Sequence, residues 1–241
     1  MQIGKNVHML EVTGQLITAY PTLMWDENNL ILVDAGTPDM WNALCEAITN
    51  TGQKPEDITA LVLTHQDMDH IGCVRDVLVV APKAKVYAHI DEVPYIRGEK
   101  EPQKIEMLKR RFDLSSTEGK GAFEQFRQGF INRNVEVDTP LGDGDMLDMC
   151  GGITIIHSPG HTYGHICLLI TTEKILIAGD ALNIEEGRLI GANPMHTFDV
   201  ETAKKSVQKL GNFDINKIVC YHSGLFEGNA KTAIAEAAGI M

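Results

Sequence analysis

The chain has 241 residues, 44% of them hydrophobic, with 33 acidic against 21 basic side chains and a net charge of −12. That is enough apolar material for a sizeable core, and a field of that sign repels a phosphate backbone, so no nucleic-acid partner is expected. No stretch approaches a membrane span and the first eight residues hold no apolar run of signal-peptide length, so a cytoplasmic protein with no membrane partner is expected.

In chain order, Val7 to Val12, Leu16 to Ala19 and Asn29 to Val33 read as strands. Gly36-Thr37-Pro38-Asp39 turns into a helix with Trp41, Leu44 and Ile48 at helical spacing, stopped at Thr51-Gly52. Leu61-Val62-Leu63 reads as a buried strand, followed by a helix to about Val80, a stop at Pro82 and a short strand from Lys85 to Ala88. Residues 98–134 are polar. Phe123, Phe126 and Phe130 fall at helical spacing there, which predicts one amphipathic helix packed on the body. A lid over a cleft, or a contact between subunits of a homo-oligomer, is the alternative. The triplet Lys109-Arg110-Arg111 reads as solvated.

Leu141-Gly142-Asp143-Gly144-Asp145 carries Asp-Gly turn signals between strands. Its acidic spacing does not complete a calcium loop, so a hairpin turn is expected. Ile153–Ile156, Ile175–Ile177 and Ile218–Cys220 are further strand-like runs. Asp199 to Leu210 is a helix with Val200, Ala203, Val207 and Leu210 on one face and Gly211 as its stop. An Ala-rich helix from about Asn229 to Ala238 closes the chain. Two β-then-α halves predict two sheets packed face to face with helices outside, residues 1–241 forming one domain with 98–134 inserted between the halves. The five cysteines, Cys45, Cys73, Cys150, Cys167 and Cys220, are odd in number and include no C-x-x-C pair, which suits free thiols in a reducing compartment.

The densest chemistry is Thr64-His65-Gln66-Asp67-Met68-Asp69-His70, directly after the Leu61 run. Two imidazoles and two carboxylates at one strand end repel one another or lose hydration, and a divalent cation removes that cost. His65 and Asp67 point the same way in an extended segment and can grip one ion; Asp69 and His70 are adjacent and need a turn to reach a second. A polar loop capping a helix that starts near Asp69 or His70 is the plainer alternative. Three later runs repeat the theme: Ile153–Ile156 leads to Gly160-His161-Thr162-Tyr163-Gly164-His165, Ile175–Ile177 to Gly179-Asp180, and Ile218–Cys220 to Tyr221-His222-Ser223-Gly224. Convergence of strand ends is how α/β sheets build sites.

From about Val7 to about His222 the chain resembles the metallo-β-lactamase superfamily, whose signature is H-x-H-x-D-H followed by a distant His, Asp and His. One position departs: Asp67 stands where the second motif His is usual, as a carboxylate does in the diiron branch. The resemblance implies a four-layer αβ/βα sandwich and two metal positions. His65, Asp67 and His161 would hold the first ion, Asp69, His70 and His222 the second, and Asp180 would bridge them. His165 would support the His161 loop rather than ligate. Zn²⁺ is the expected metal, with Mn²⁺ or Fe²⁺ favoured further by the hard Asp67 oxygen.

An ion with an open position acidifies bound water toward a pKa of about 7, so neither serine nor cysteine is needed as nucleophile. The resemblance implies hydrolysis of a small ester, thioester, lactone or amide. Candidate catalytic residues are Asp69, Tyr163 as an oxyanion donor and His196 as a substrate contact, with Asn193 in the same loop as a substrate-binding residue; a ring that only packs is the equal alternative for Tyr163. Two other readings stand beside hydrolysis: a diiron oxidoreductase served by a separate flavin partner, and a metal-binding sensor without turnover.

Overall fold

The computed structural model describes residues 1–109, 112–131 and 133–239. A seven-stranded sheet runs Gln2–Gly4, Val7–Met9, Thr22–Trp25, Leu30–Val33, Ala60–Leu63, Lys85–His89 and Thr139–Leu141, in that spatial order. A six-stranded sheet follows as Met146–Leu147, Ile153–His157, Ile166–Ile170, Ile175–Ile177, Lys217–Cys220 and Gly224–Glu227. Both are mixed: the three pairings from Leu30–Val33 to Thr139–Leu141 are parallel, as is Ile175–Ile177 with Lys217–Cys220.

Strand alternation explains the layers. Ile31, Val33, Ala60 and Val62 face inward and meet Ile155, Leu168, Ile177 and Val219 of the other sheet. Leu30, Leu32, Leu61 and Leu63 face outward and pack against Leu44 and Ile48 of the helix Trp41–Thr49 and Val74 and Val77 of the helix Val74–Val80. On the far side, Ile156, Leu176 and Ile218 meet Val207 and Leu210 of Val200–Leu210 and Ile234 of Ala230–Ala237. Central strands buried on both faces read as continuous apolar runs. The result is the four-layer αβ/βα sandwich expected above.

Several details differ from expectation. The Val7 to Val12 strand is broken at Leu10-Glu11 into Val7–Met9 and Val12–Thr13, and Leu16 lies 95% exposed before the two-residue strand Thr18–Ala19. Gly142–Asp145 does not close a hairpin. Leu141 belongs to the first sheet and Met146 to the second, so the turn carries the chain from one sheet to the other, held by Gly142 N–H on Asp145 Oδ2 at 2.7 Å. The polar insert holds two helices, Gln103–Lys109 and Thr117–Ile131, rather than one. Thr117–Ile131 buries none of its described side chains; Phe123 and Phe126 meet Phe112 at 5.4 and 5.5 Å, while the side chain of Phe130, like Arg110 and Arg111, lies outside the described residues. The first helix of the insert, by contrast, reaches the strand ends where the motifs converge. Among the described residues no helix is long and apolar enough to cross a membrane, and all five cysteines are free thiols.

Candidate metal centre

The motif residues leave the C-terminal ends of strands, where backbone pairing stops and side chains turn toward one edge of the sandwich. His65 and Asp67 follow Ala60–Leu63. Asp67 stands at the N-cap position of the short helix Met68–Ile71 with its side chain turned to the site rather than to the cap, and the helix brings Asp69 and His70 round together. His161 sits in a turn between Ile153–His157 and Ile166–Ile170. That turn depends on its glycines. Gly160 has φ +130°, where side chains are strained, and a Cβ there would collide with the Ala203 backbone; a Cβ on Gly164 would sit 2.8 Å from Glu92 N. Asp180 follows Ile175–Ile177, and His222 follows Lys217–Cys220.

These donors form two groups. His65, His161 and Asp180 place one ligand atom each within 4.8 Å of the others, and so do Asp69, His70 and His222. Asp67 joins the first group: its Oδ2 lies 3.1 Å from His161 Nε2 and 3.5 Å from His65 Nε2. Asp180 lies between the groups. Its Oδ2 is 3.3 Å from His161 Nε2, while its Oδ1 is 3.2 Å from His70 Nε2 and 3.3 Å from His222 Nε2.

The donor set fits divalent cations on two grounds. His65 Nε2, Asp67 Oδ1, His70 Nε2 and Asp180 Oδ1 are buried without a hydrogen-bond partner among the described residues, an expensive condition for four atoms in one place. The electrostatics also call for positive charge. Burial opposes the charged form of His222, yet Asp180 and Asp69 overcome it and raise its pKa to about 10. Burial likewise opposes charge on His70, and Asp34 and Asp180 prevail and hold it protonated. His65, buried and beside His70, goes the other way, down to about 4, so its ring is neutral and its lone pair available.

A supporting layer orients these groups, and sequence reasoning missed most of it. Asp34 is 1% exposed at the end of Leu30–Val33, in the left-handed region with φ +59°. A non-glycine residue held there costs on the order of 1–3 kcal/mol. It accepts Thr64 N–H at 2.8 Å, the Thr64 hydroxyl at 2.7 Å and His70 Nδ1–H at 2.8 Å. Because Thr64 gives its proton to Asp34, its oxygen accepts from His65 Nδ1 at 3.0 Å. Both rings thereby present Nε2 to the site, the usual arrangement behind a ligating histidine. An apolar run ending in Asp34-Ala35-Gly36 carries the same signal as the run ending at Asp180, and was there to be found. Tyr221 stacks on His70 at 3.8 Å and donates its hydroxyl to Asp69 O at 2.6 Å. His165 is fully buried; its Nε2 accepts Asp180 N–H at 3.0 Å and its Nδ1 meets Ser158 Oγ at 2.9 Å, so both ring nitrogens are engaged away from the ligand groups.

Glu92 joins the two motif loops. It accepts Gln66 N–H at 2.9 Å and Gln66 Nε2–H at 3.0 Å on one side and Gly164 N–H at 2.7 Å on the other. Full burial raises its pKa to about 7. A folded-state value above the unfolded one of about 4.3 means that the native protein binds the extra proton. Stability from this group is present below about pH 4.3 and is lost as pH rises to about 7, a fall of about 3 kcal/mol. Glu92→Gln should remove that slope. Denaturant titrations of both proteins at intervals across that window measure it, and parallel curves would show that Glu92 does not titrate there.

The insert supplies the remaining wall. Gln103 N–H donates to Gln66 Oε1 at 2.8 Å, and Gln103 Oε1 accepts Tyr163 N–H at 3.1 Å. Lys104 places its Nζ 2.7 Å from Asp67 Oδ2 and donates to His196 O at 3.1 Å. Burial opposes the Asp67 charge, but Lys104 first and then His161 hold its carboxyl well below the usual range. The cleft beside these groups is lined by Asp67, Gln103, Lys104, His161, His196 and Phe198 among others. Tyr163 is 46% exposed with its ring 4.6 Å from that of Phe198 at the mouth. Asn193 lies outside the cleft lining, and its side-chain oxygen caps the turn Pro194–His196 by accepting Met195 N–H at 2.9 Å.

Residues 18–222 match the family model of the metallo-beta-lactamase superfamily, and the chain belongs to that superfamily. Two curated relatives give the range. The chain is 27% identical to "Probable metallo-hydrolase YflN" of Bacillus subtilis, over 92% of this chain and 85% of that protein. It is 27% identical to a hydroxyacylglutathione hydrolase of Francisella philomiragia over 81% of this chain, but spans only 58% of that enzyme. Among solved structures, the metallo-beta-lactamase family protein TTHA1429 from Thermus thermophilus shares the fold with a TM-score of 0.70 at 21% identity, covering 98% of this chain and 79% of that one. The protein is a hydrolase of the metallo-beta-lactamase type.

Proposed function

We propose that residues 1–241 form one hydrolytic unit whose two metal positions cleave a small ester, thioester, lactone or amide. One observation carries this reading: the two oxygens of Asp180 face different histidines, Oδ2 toward His161 and Oδ1 toward His70 and His222, an arrangement that suits a residue shared by two ions. His65, Asp67 and His161 would hold one ion and Asp69, His70 and His222 the other, with Zn²⁺ expected first and Mn²⁺ or Fe²⁺ accommodated by Asp67. When bound, such a pair supplies an acidified water at neutral pH and a Lewis acid for the substrate carbonyl.

The protein's own groups do the rest. Asp69 is 28% exposed, so water reaches it, whereas Asp67 at 3% is sealed behind Lys104. Burial works against charge on Asp69, and the His222 contact prevails and keeps it ionised, in the form that accepts a proton. Lys104 pins Asp67 and the His196 carbonyl to one wall; His196 lines the cleft where a substrate oxygen would lie, and Tyr163 stands beside it with its ring against Phe198. The thioester alternative draws on the hydroxyacylglutathione hydrolase likeness.

Elemental analysis of protein purified without chelator should give close to two transition ions per chain. A panel of chromogenic esters, thioesters, lactones and β-lactams then finds the reactive carbonyl. Protein that stays metal-free after reconstitution would reject the ligand assignment.

A further inference from the structure

Beside the metal cleft lies a second hollow of about 670 Å³, walled by Met107, Phe112, Leu114 and Phe198, with the exposed Glu106 and Lys109 also along it. That volume is in the range of small-molecule pockets, which run from about 300 to 1,000 Å³. Met107 and Phe198 line both spaces, so the hollow continues from the site where Asp67 and His161 sit. Two large aromatic rings, Phe198 at 42% and Tyr163 at 46%, are left exposed at this junction. Apolar surface kept open to water next to a reactive centre marks a place for ligand. The charge pattern narrows the ligand. Lys104 is the one cation in the described wall of the metal cleft, and its ammonium is already held by Asp67 at 2.7 Å. The whole chain carries −12. In the hollow itself Lys109 is matched by Glu106, so its described lining has no net charge, and none of these features welcomes an anionic arm.

We infer that this hollow binds an uncharged, apolar arm of the substrate, so that the enzyme prefers esters or thioesters with a medium-length alkyl chain over acetyl compounds. The inference rests on the hydrolytic reading above and adds the substrate class to it. Its walls come from the helix Gln103–Lys109, from Phe112 and Leu114 beyond it, and from Thr197-Phe198 across the cleft.

Two ester series test it with the metal-loaded protein. One lengthens the acyl side, p-nitrophenyl acetate through decanoate; the other lengthens the alcohol side, alkyl thioacetates followed by thiol release. A methylene fully removed from water is worth about fourfold, so kcat/KM should climb about two- to fourfold per methylene on one arm before levelling. The arm that climbs identifies which side of the carbonyl lies in the hollow. Leu114→Asp, remote from the metal groups, should flatten that climb, and Phe198→Ala serves as a second probe should the first fail to fold. Binding of the uncharged fluorophore N-phenyl-1-naphthylamine to the protein reports on the hollow without turnover and should weaken at least about tenfold in Leu114→Asp. Turnover with flat chain-length dependence on both arms would overturn the inference and leave hydrolysis standing. Absence of all turnover alongside intact, Leu114-dependent probe binding would overturn the hydrolytic reading and leave the apolar pocket standing.

Discussion

Asp180→Ala is expected to abolish turnover and to weaken metal binding in both donor groups, because the one side chain faces His161 on one side and His70 and His222 on the other. His165→Ala provides the comparison. Its Nε2 accepts the Asp180 backbone N–H at 3.0 Å, so under the proposed assignment it would position Asp180 rather than hold an ion. Loss of such a supporting partner typically costs about 10–100-fold in affinity or activity, and Asp180→Ala should exceed that at both positions. A second readout needs no metal. Asp180 is the leading charge that lifts His222 to about 10 against the cost of burial, so in the metal-free variant the His222 ring should titrate well below that value. Imidazole NMR across pH 5 to 11 follows this directly. Equal metal loss in the two variants, or an unmoved His222 titration, would show that Asp180 does not bridge.

Asp67→Ala should act on one position only. Asp67 Oδ2 faces His161 and His65, whereas it is Asp69 Oδ2 that faces His222, so occupancy should fall preferentially where His65 and His161 meet. The substitution also leaves Lys104, 13% exposed, without its carboxylate. A buried ammonium stripped of its partner is costly, about 3–5 kcal/mol, unless the side chain withdraws to water. Asp67→Ala/Lys104→Met should therefore recover stability while remaining unable to fill the first position. Asp67→His should retain the ion there and shift preference toward Zn²⁺. Anomalous diffraction at the two positions, with thermal melts of the same proteins, separates the effects. Unchanged occupancy of the first position in Asp67→Ala would remove Asp67 from the ligand set.

The sandwich and the gathering of the candidate donors at one edge were legible because both rest on short-range signals. Strands buried on both faces, such as Leu30–Val33 and Ala60–Leu63, read as unbroken apolar runs, and each run that ended in His or Asp announced a strand-end side chain. Asp34 fits the same rule and escaped because it stands alone, with no neighbouring histidine to draw attention. Glu92 and Lys104 could not be read locally. Ile90-Asp91-Glu92-Val93 resembles any exposed helix start, and a lone lysine in a polar insert resembles any solvated one. Their roles arise from contacts between residues far apart in the chain: Glu92 meets Gln66 and Gly164, 26 and 72 positions away, and Lys104 meets Asp67 and His196, 37 and 92 positions away. The hairpin expected at Gly142–Asp145 failed for a related reason, since Asp-Gly chemistry fixes a turn but not which sheet receives the next strand.

That crossing turn has a consequence for assembly. Every strand of the seven-stranded sheet precedes it and every strand of the six-stranded sheet follows it. Under the proposed assignment each ion draws donors from both sides of the divide: His65 and Asp67 with His161, and Asp69 and His70 with His222, with Asp180 common to both. Capture of the ions is then a rivet between two half-molecules joined by a single backbone passage. Binding energy released at the catalytic edge is available to hold the sheets in register, and metal supply becomes a term in the folding equilibrium itself.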